Sequence, residues 1–225
     1  MSFLPGQFPA VAIARGQPIT TLTFVTSATA QDGDVLLPSG LSETDFIVYI
    51  EFTFNKGGSL SVAVPSGFTE WWSFDDTFGS VLVVSYRILT SSLSSTQLNA
   101  AMSPDTSIGQ GYFIYRADQI IGSLEASTPS TELTDANPSA QTILAGAASP
   151  PLVGFASYSN LSTATAVSPR TMTPAKDGEI DVTGSGDTYF ARKLYNASPA
   201  NISVDMDDEG DGNALGSGFI RPLAA

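Results

Sequence analysis

Apolar and polar residues alternate along much of this chain with a period of two, the spacing of a strand that buries one face. The alternation is clearest over Asp45–Phe54. There Phe46, Val48, Ile50, Phe52 and Phe54 fall on one face and Ile47, Tyr49, Glu51 and Thr53 on the other. It recurs in the stretch around which the chain is organised, residues 59–89. Leu60, Val62 and Val64 share a face of its first run, and Leu82, Val84, Tyr86 and Ile88 share a face of its last. Pro65, Ser66 and Gly67 close the first run, and residues 75–79 (DDTFG) supply turn chemistry before the last. The unit therefore reads as two strands joined through an aromatic turn region, entered by a hairpin turn at residues 55–58 (NKGG).

The same reading places strands at 19–26, 35–37, 111–116, 119–126, 142–145, 152–158, 180–183, 188–195, 202–206 and 216–221. Ser94 or Ser95 is a candidate cap for one or two helical turns through Met102, which Pro104 would end. Residues 127–141 are rich in turn formers without a period and read as a long surface loop, and 167–174 as irregular chain. Many short strands with almost no helix predict an all-β, antiparallel β-sandwich of jelly-roll-like type. Residues 1–18 are apolar but interrupted by Pro5, Pro9 and Pro18, which predicts an extended N-terminal arm before a single domain over 19–225. The arm either folds back on its own domain or docks on a neighbouring subunit through Phe3, Leu4, Phe8, Val11 and Ile13.

Composition narrows the chemistry. The chain has 225 residues, of which only 14% are charged, and a formal net charge of −13. Nucleic-acid binding needs clustered Lys and Arg, and anionic membranes repel such a surface, so neither is an expected partner. With no Cys and no His there is no disulfide, no thiolate site and no Ser-His-Asp triad. No cofactor is expected and an enzyme is not. Met1–Pro5 lacks a basic, apolar leader and no run is long enough to span a bilayer. The expectation is a chain made in a cytoplasm that stays soluble.

Three stretches are candidate sites. Residues 205–212 (DMDDEGDG) place Asp205, Asp207, Glu209 and Asp211 on a glycine-containing loop, a possible set of oxygen ligands for Ca²⁺. The twelfth position of the corresponding EF-hand pattern is Gly216 rather than Glu, so that match fails and a solvated acidic loop is the simpler reading. Trp71 and Trp72 are adjacent, so on a regular strand one enters the core and the other faces outward, as a sugar-stacking platform or an interface anchor. Glu70, Asp75 and Asp76 lie close by, but proximity in sequence does not make a glycosidase pair. Asn160, Asn196 and Asn201 each begin a glycosylation triplet, expected by chance in a Ser- and Thr-rich chain.

The segments GDVLLP (33–38), FIVYIEF (46–52), PSGFTEWW (65–72), VLVVSYRIL (81–89) and DEGDGNALGSGFIRPL (208–223) together resemble virion structural proteins of tailed bacteriophages. The resemblance spans most of 30–223 and carries no catalytic residues. It implies a jelly-roll-like sandwich on the particle exterior, most simply a capsid decoration (cement) protein. Its partners would then be the major capsid protein and itself, as a homotrimer, and its location the virion. The alternative is a tail fibre, spike or baseplate protein binding a host-surface glycan, or a carbohydrate-binding module. In that case Trp71 or Trp72, Tyr49, Tyr112 and Tyr115 would stack on sugars.

Overall fold

A computed structural model describes residues 17–31, 35–54, 64–75, 80–93, 97–98, 107–134, 141–143, 149–161, 170–184, 188–206 and 213–225. In chain order the strands are β1 (Leu22–Gln31), β2 (Val35–Leu36), β3 (Asp45–Phe54), β4 (Thr69–Asp75) and β5 (Ser80–Ile88). There follow β6 (Gln97–Leu98), β7 (Ser107–Ala117), β8 (Ile121–Ala126), β9 (Ser130–Thr134), β10 (Gln141–Ile143) and β11 (Leu152–Asn160). The last are β12 (Arg170–Thr173), β13 (Gly178–Asp181), β14 (Thr188–Tyr195), β15 (Ile202–Met206) and β16 (Asn213–Ala224). Among the described residues the only helical element is a 3-10 turn at Ser91–Leu93.

The strands build an antiparallel β-sandwich with an extra layer on each side. A five-stranded sheet runs β1-β7-β3-β5-β4, and a six-stranded sheet runs β13-β14-β11-β16-β8. β9 shares the β8 edge of β16, pairing with Asn213–Ser217 while β8 pairs with Ile220–Ala224. The space between these sheets holds Phe46, Val48, Ile50 and Phe52 of β3 and Phe113 and Tyr115 of β7, facing Val153 and Phe155 of β11 and Phe190 of β14. The small β10-β15-β12 sheet covers the outer face of the six-stranded one, where Ile202, Val204 and Met206 meet Tyr158, Leu215 and Phe219. The β2-β6 ribbon covers the outer face of the five-stranded sheet, where Val35, Leu37 and Leu98 meet Ile47, Tyr49 and Ile114. Central strands are thus buried on both faces, which is why β3 and β11 carry few charges.

Polar side chains tie the layers together at their margins. Asp45, fully buried, receives two hydrogen bonds from Arg116, Nε to Oδ1 at 2.6 Å and Nη2 to Oδ2 at 2.8 Å, directly across the β3-β7 ladder. The Asn196 amide clamps the backbone of Leu22. It accepts from the Leu22 N–H at 2.8 Å and donates to its carbonyl at 3.0 Å, joining the start of β1 to the turn after β14. Ser80 Oγ donates to the Leu161 carbonyl at 2.6 Å, joining β5 to the end of β11.

Several expectations need correction. The aromatic turn region of the 59–89 unit contains a true strand, β4, because Trp71, Trp72 and Phe74 insert into the core. Its first run, residues 59–63, lies outside the described residues, as does the 55–58 turn. Helical turns through 102 do not hold at Gln97–Leu98, which pair with Val35–Leu36 because Leu98 is drawn into the outer cluster; 94–96 and 99–106 lie outside the described residues. The supposed loop 127–141 contains β9, and the irregular 167–174 contains β12. Both are held by long-range partners rather than by their own pattern.

Candidate functional site

The Trp pair marks the densest aromatic region. β4 carries a bulge: Glu70 is opposite Ser85 and Trp72 opposite Val84, so Trp71 is the extra residue. The extra residue cancels the alternation, and both indoles enter the core, 8% and 3% exposed. The expectation that one faces outward is therefore corrected. Their ring centroids are 4.5 Å apart, and Trp71 meets Tyr86 and Phe155 edge-on. Trp71 Nε1 donates to the Ser127 carbonyl at 2.9 Å, and Trp72 Nε1 to Ser157 Oγ at 3.1 Å. The indoles lie on the glycines of β16. A Cβ at Gly216 would sit 2.4 Å from Trp72 Nε1, and one at Gly218 2.3 Å from Trp71 Cζ2. The 216–218 Gly-Ser-Gly is a seat for two tryptophans, each with its N–H satisfied internally.

The tyrosines named as sugar platforms are also inside. Tyr49, Tyr112 and Tyr115 are buried, which corrects that expectation. Tyr112 donates to the Leu36 carbonyl at 3.0 Å and Tyr49 to Glu51 Oε2 at 3.1 Å. Burial pushes the Tyr115 hydroxyl far above its ordinary range, despite the nearby Arg192 guanidinium. Among the described side chains no Trp, Tyr or Phe is exposed.

The charged candidates do not assemble. Glu70 and Asp75 are exposed on β4, with Glu70 receiving a bond from Ser73 Oγ at 2.8 Å; Asp76 lies outside the described residues. Of the acidic run only Asp205 is described, half-buried on β15, and Asp207, Glu209 and Asp211 lie outside the described residues. Among the described residues no group of three metal-ligating side chains occurs. Phe3, Leu4, Phe8, Val11 and Ile13 also lie outside the described residues. Of the triplet asparagines, Asn160 is buried, while Asn196 and Asn201 are exposed, Asn196 with its amide engaged in the Leu22 clamp.

All seven described basic side chains are committed within the fold. Arg116 binds Asp45, Arg170 and Lys176 bind Glu179, Lys193 binds Asp177, and Arg221 binds Glu125. Arg87 donates to the Ser66 carbonyl at 2.7 Å beside Phe68, and Arg192 lies 3.7 Å over the Phe24 ring. Two open concave surfaces lie among the described residues. One of about 350 Å³ is lined by Thr69, Tyr86, Arg87, Ile88 and Leu124, and one of about 290 Å³ by Ser42, Glu43, Thr44, Ser91 and Ile120.

One chemistry-bearing residue escapes the pattern reading. Glu51 is 1% exposed in the middle of β3, and burial raises its carboxyl to about 7, against the hydrogen bond from Tyr49. The available signal was a lone acid inside an aromatic and aliphatic strand. No protein-family model matches the chain, and no curated protein matches it.

Proposed function

We propose that this chain is a non-enzymatic structural protein of a tailed-phage virion. It acts as a capsid decoration protein that binds the outside of the head and adds contact area between capsid subunits. In this reading the sandwich has jelly-roll-like connectivity, the protein acts as a homotrimer, and residues 1–18 are the arm that docks on the capsid or a neighbouring copy. The observation that carries the reading is the allocation of side chains. Among the described side chains no Trp, Tyr or Phe is exposed, and every Lys and Arg makes a contact within the fold. Apart from isolated apolar side chains such as Leu36, Ile120 and Leu133, the surface of a chain of net charge −13 is left with an excess of acid, which keeps neighbouring particles apart. The glycan-binding alternative loses support, because Trp71, Trp72, Tyr49, Tyr112 and Tyr115 are all buried.

The test is co-sedimentation of the purified chain with capsids stripped of it. Saturable binding by the full chain, lost when residues 2–18 are deleted, supports the reading. Binding to host cell-wall glycan with no affinity for capsids would replace it with the receptor-binding alternative.

A further inference from the structure

The strongest unexplained chemistry in the described fold is the polar strip under the outer ribbon. Glu51 lies on the β3 face that β2 and β6 cover, opposite Gln110 of β7 and Val83 of β5. Its Oε2 accepts from Tyr49, while Oε1 has no partner although it is sealed from solvent. Thr53 Oγ1, two residues along, and Ser85 Oγ, opposite Tyr49, are likewise buried without partners. Three unpartnered oxygens on adjoining ladder positions are a departure from the usual satisfaction of buried polar atoms.

We propose that Glu51 is a proton-operated latch for the outer layer: with its carboxyl neutral the β2-β6 ribbon stays seated, and with the carboxylate charged the ribbon lifts and admits water. A neutral carboxyl turns Oε1 into a donor, with the Thr53 and Ser85 hydroxyls as the neighbouring acceptors. A carboxylate there can accept from Tyr49 and from neighbouring hydroxyls, but neutral donors do not offset the cost of burying a full charge that no described cation faces.

Among the described residues no opposite charge faces it. From β5 the strip is faced by Val81, Val83 and Ser85, from β7 by Gln110 and Tyr112, from β1 by Ala28 and Ala30, and from the ribbon by Val35, Leu37 and Leu98. Tyr49 and Tyr112 are the titratable groups among these, and burial raises the Tyr112 hydroxyl above its ordinary range. The described charges on the same face are Asp75, opposite Val81, and Glu70, opposite Ser85, both acids about 12 Å away across β5, then Arg87, opposite Ile47, about 13 Å away and Asp45 about 20 Å. The ribbon is the element that yields, because among the described residues its ladder has two residue pairs, Val35 with Leu98 and Leu36 with Gln97. Its added ties are Val35 N–H to Gln110 Oε1 at 3.5 Å and Tyr112 to the Leu36 carbonyl.

The experiment is amide hydrogen exchange on the full chain at pH 5.5 and 8.5, corrected for the intrinsic rate, read at Val35 and Leu98. A carboxyl titrating near 7 when covered and near 4.5 when open makes opening about 30-fold easier at the higher pH. The expected result is that loss of protection in the ribbon, with β11 and β14 unchanged, and no such loss in Glu51→Gln. Equal protection at both pH values, or an equal loss across every strand, would overturn the proposal. Should Glu51→Gln fail to fold, carbon-13 titration of Glu51 in the unaltered chain decides: a midpoint near 4.5 rather than near 7 removes the latch.

Discussion

Replacing Gly216 by Ala tests whether β16 is shaped around the tryptophans. The added Cβ would lie 2.4 Å from Trp72 Nε1 and 2.8 Å from its Cδ1. Heavy atoms in contact prefer about 3.5–4.0 Å, so the indole must shift by about 1 Å. It cannot shift freely, because the tilted Trp71 ring lies 4.5 Å away and the N–H is bonded to Ser157, the residue opposite Gly216 in the β11-β16 ladder. Overpacking of this kind costs about 1–3 kcal/mol, and loss of the indole bond about 1 kcal/mol more. Ala within a strand recovers about 0.5–1 kcal/mol relative to Gly. The balance is a destabilisation of about 1–3 kcal/mol, measured by urea unfolding followed through Trp fluorescence. In a Trp72→Phe background, where the clashing ring is smaller, the same substitution is expected to cost at least about 1 kcal/mol less. A neutral or stabilising Gly216→Ala, or an equal cost in both backgrounds, would refute the reasoning.

Other expectations follow from the same contacts. Arg116→Ala leaves the Asp45 carboxylate buried with only Ser42 groups bonding to it, and is expected to cost about 1–3 kcal/mol in the same assay. Asn196→Ala removes both bonds to Leu22 and is expected to cost about 1–2 kcal/mol, with faster amide exchange at the start of β1. For Glu51 the folded carboxyl titrates above the unfolded one, so its favourable contribution is full below about pH 4.5 and lost as pH rises through about 7. Glu51→Gln is therefore expected to raise the melting temperature more at pH 8 than at pH 5. If residues 1–18 are the docking arm proposed above, deleting residues 2–18 is expected to leave the melting transition within a few degrees while abolishing capsid binding.

The sequence carried the all-β class because strands such as β3, β14 and β15 advertise themselves through apolar content and period two. It could not carry what depends on distant partners. β9 has one large apolar residue, Leu133, and that side chain is exposed; the segment is a strand because β16 extends far enough to pair with it. The bulge that turns Trp71 and Trp72 to the same side is a matter of register against β5, invisible in the dipeptide itself. Of the outer layers, β2, β10 and β15 coincide with expected strands, whereas β6 and β12 were missed, because Gln97–Leu98 has no period to read and β12 buries a single residue, Met172. For the site, the aromatics were legible as residues that must do something large. Their burial was not, and it is burial that moves them from recognition to support.

The central claim is that the chain is a virion protein of the head. Quantitative mass spectrometry of purified particles, with the major capsid protein as the internal ruler, tests it most directly. Hundreds of copies per particle are the result the account predicts. A handful of copies would place the chain in the tail, and its absence from particles would contradict the account outright.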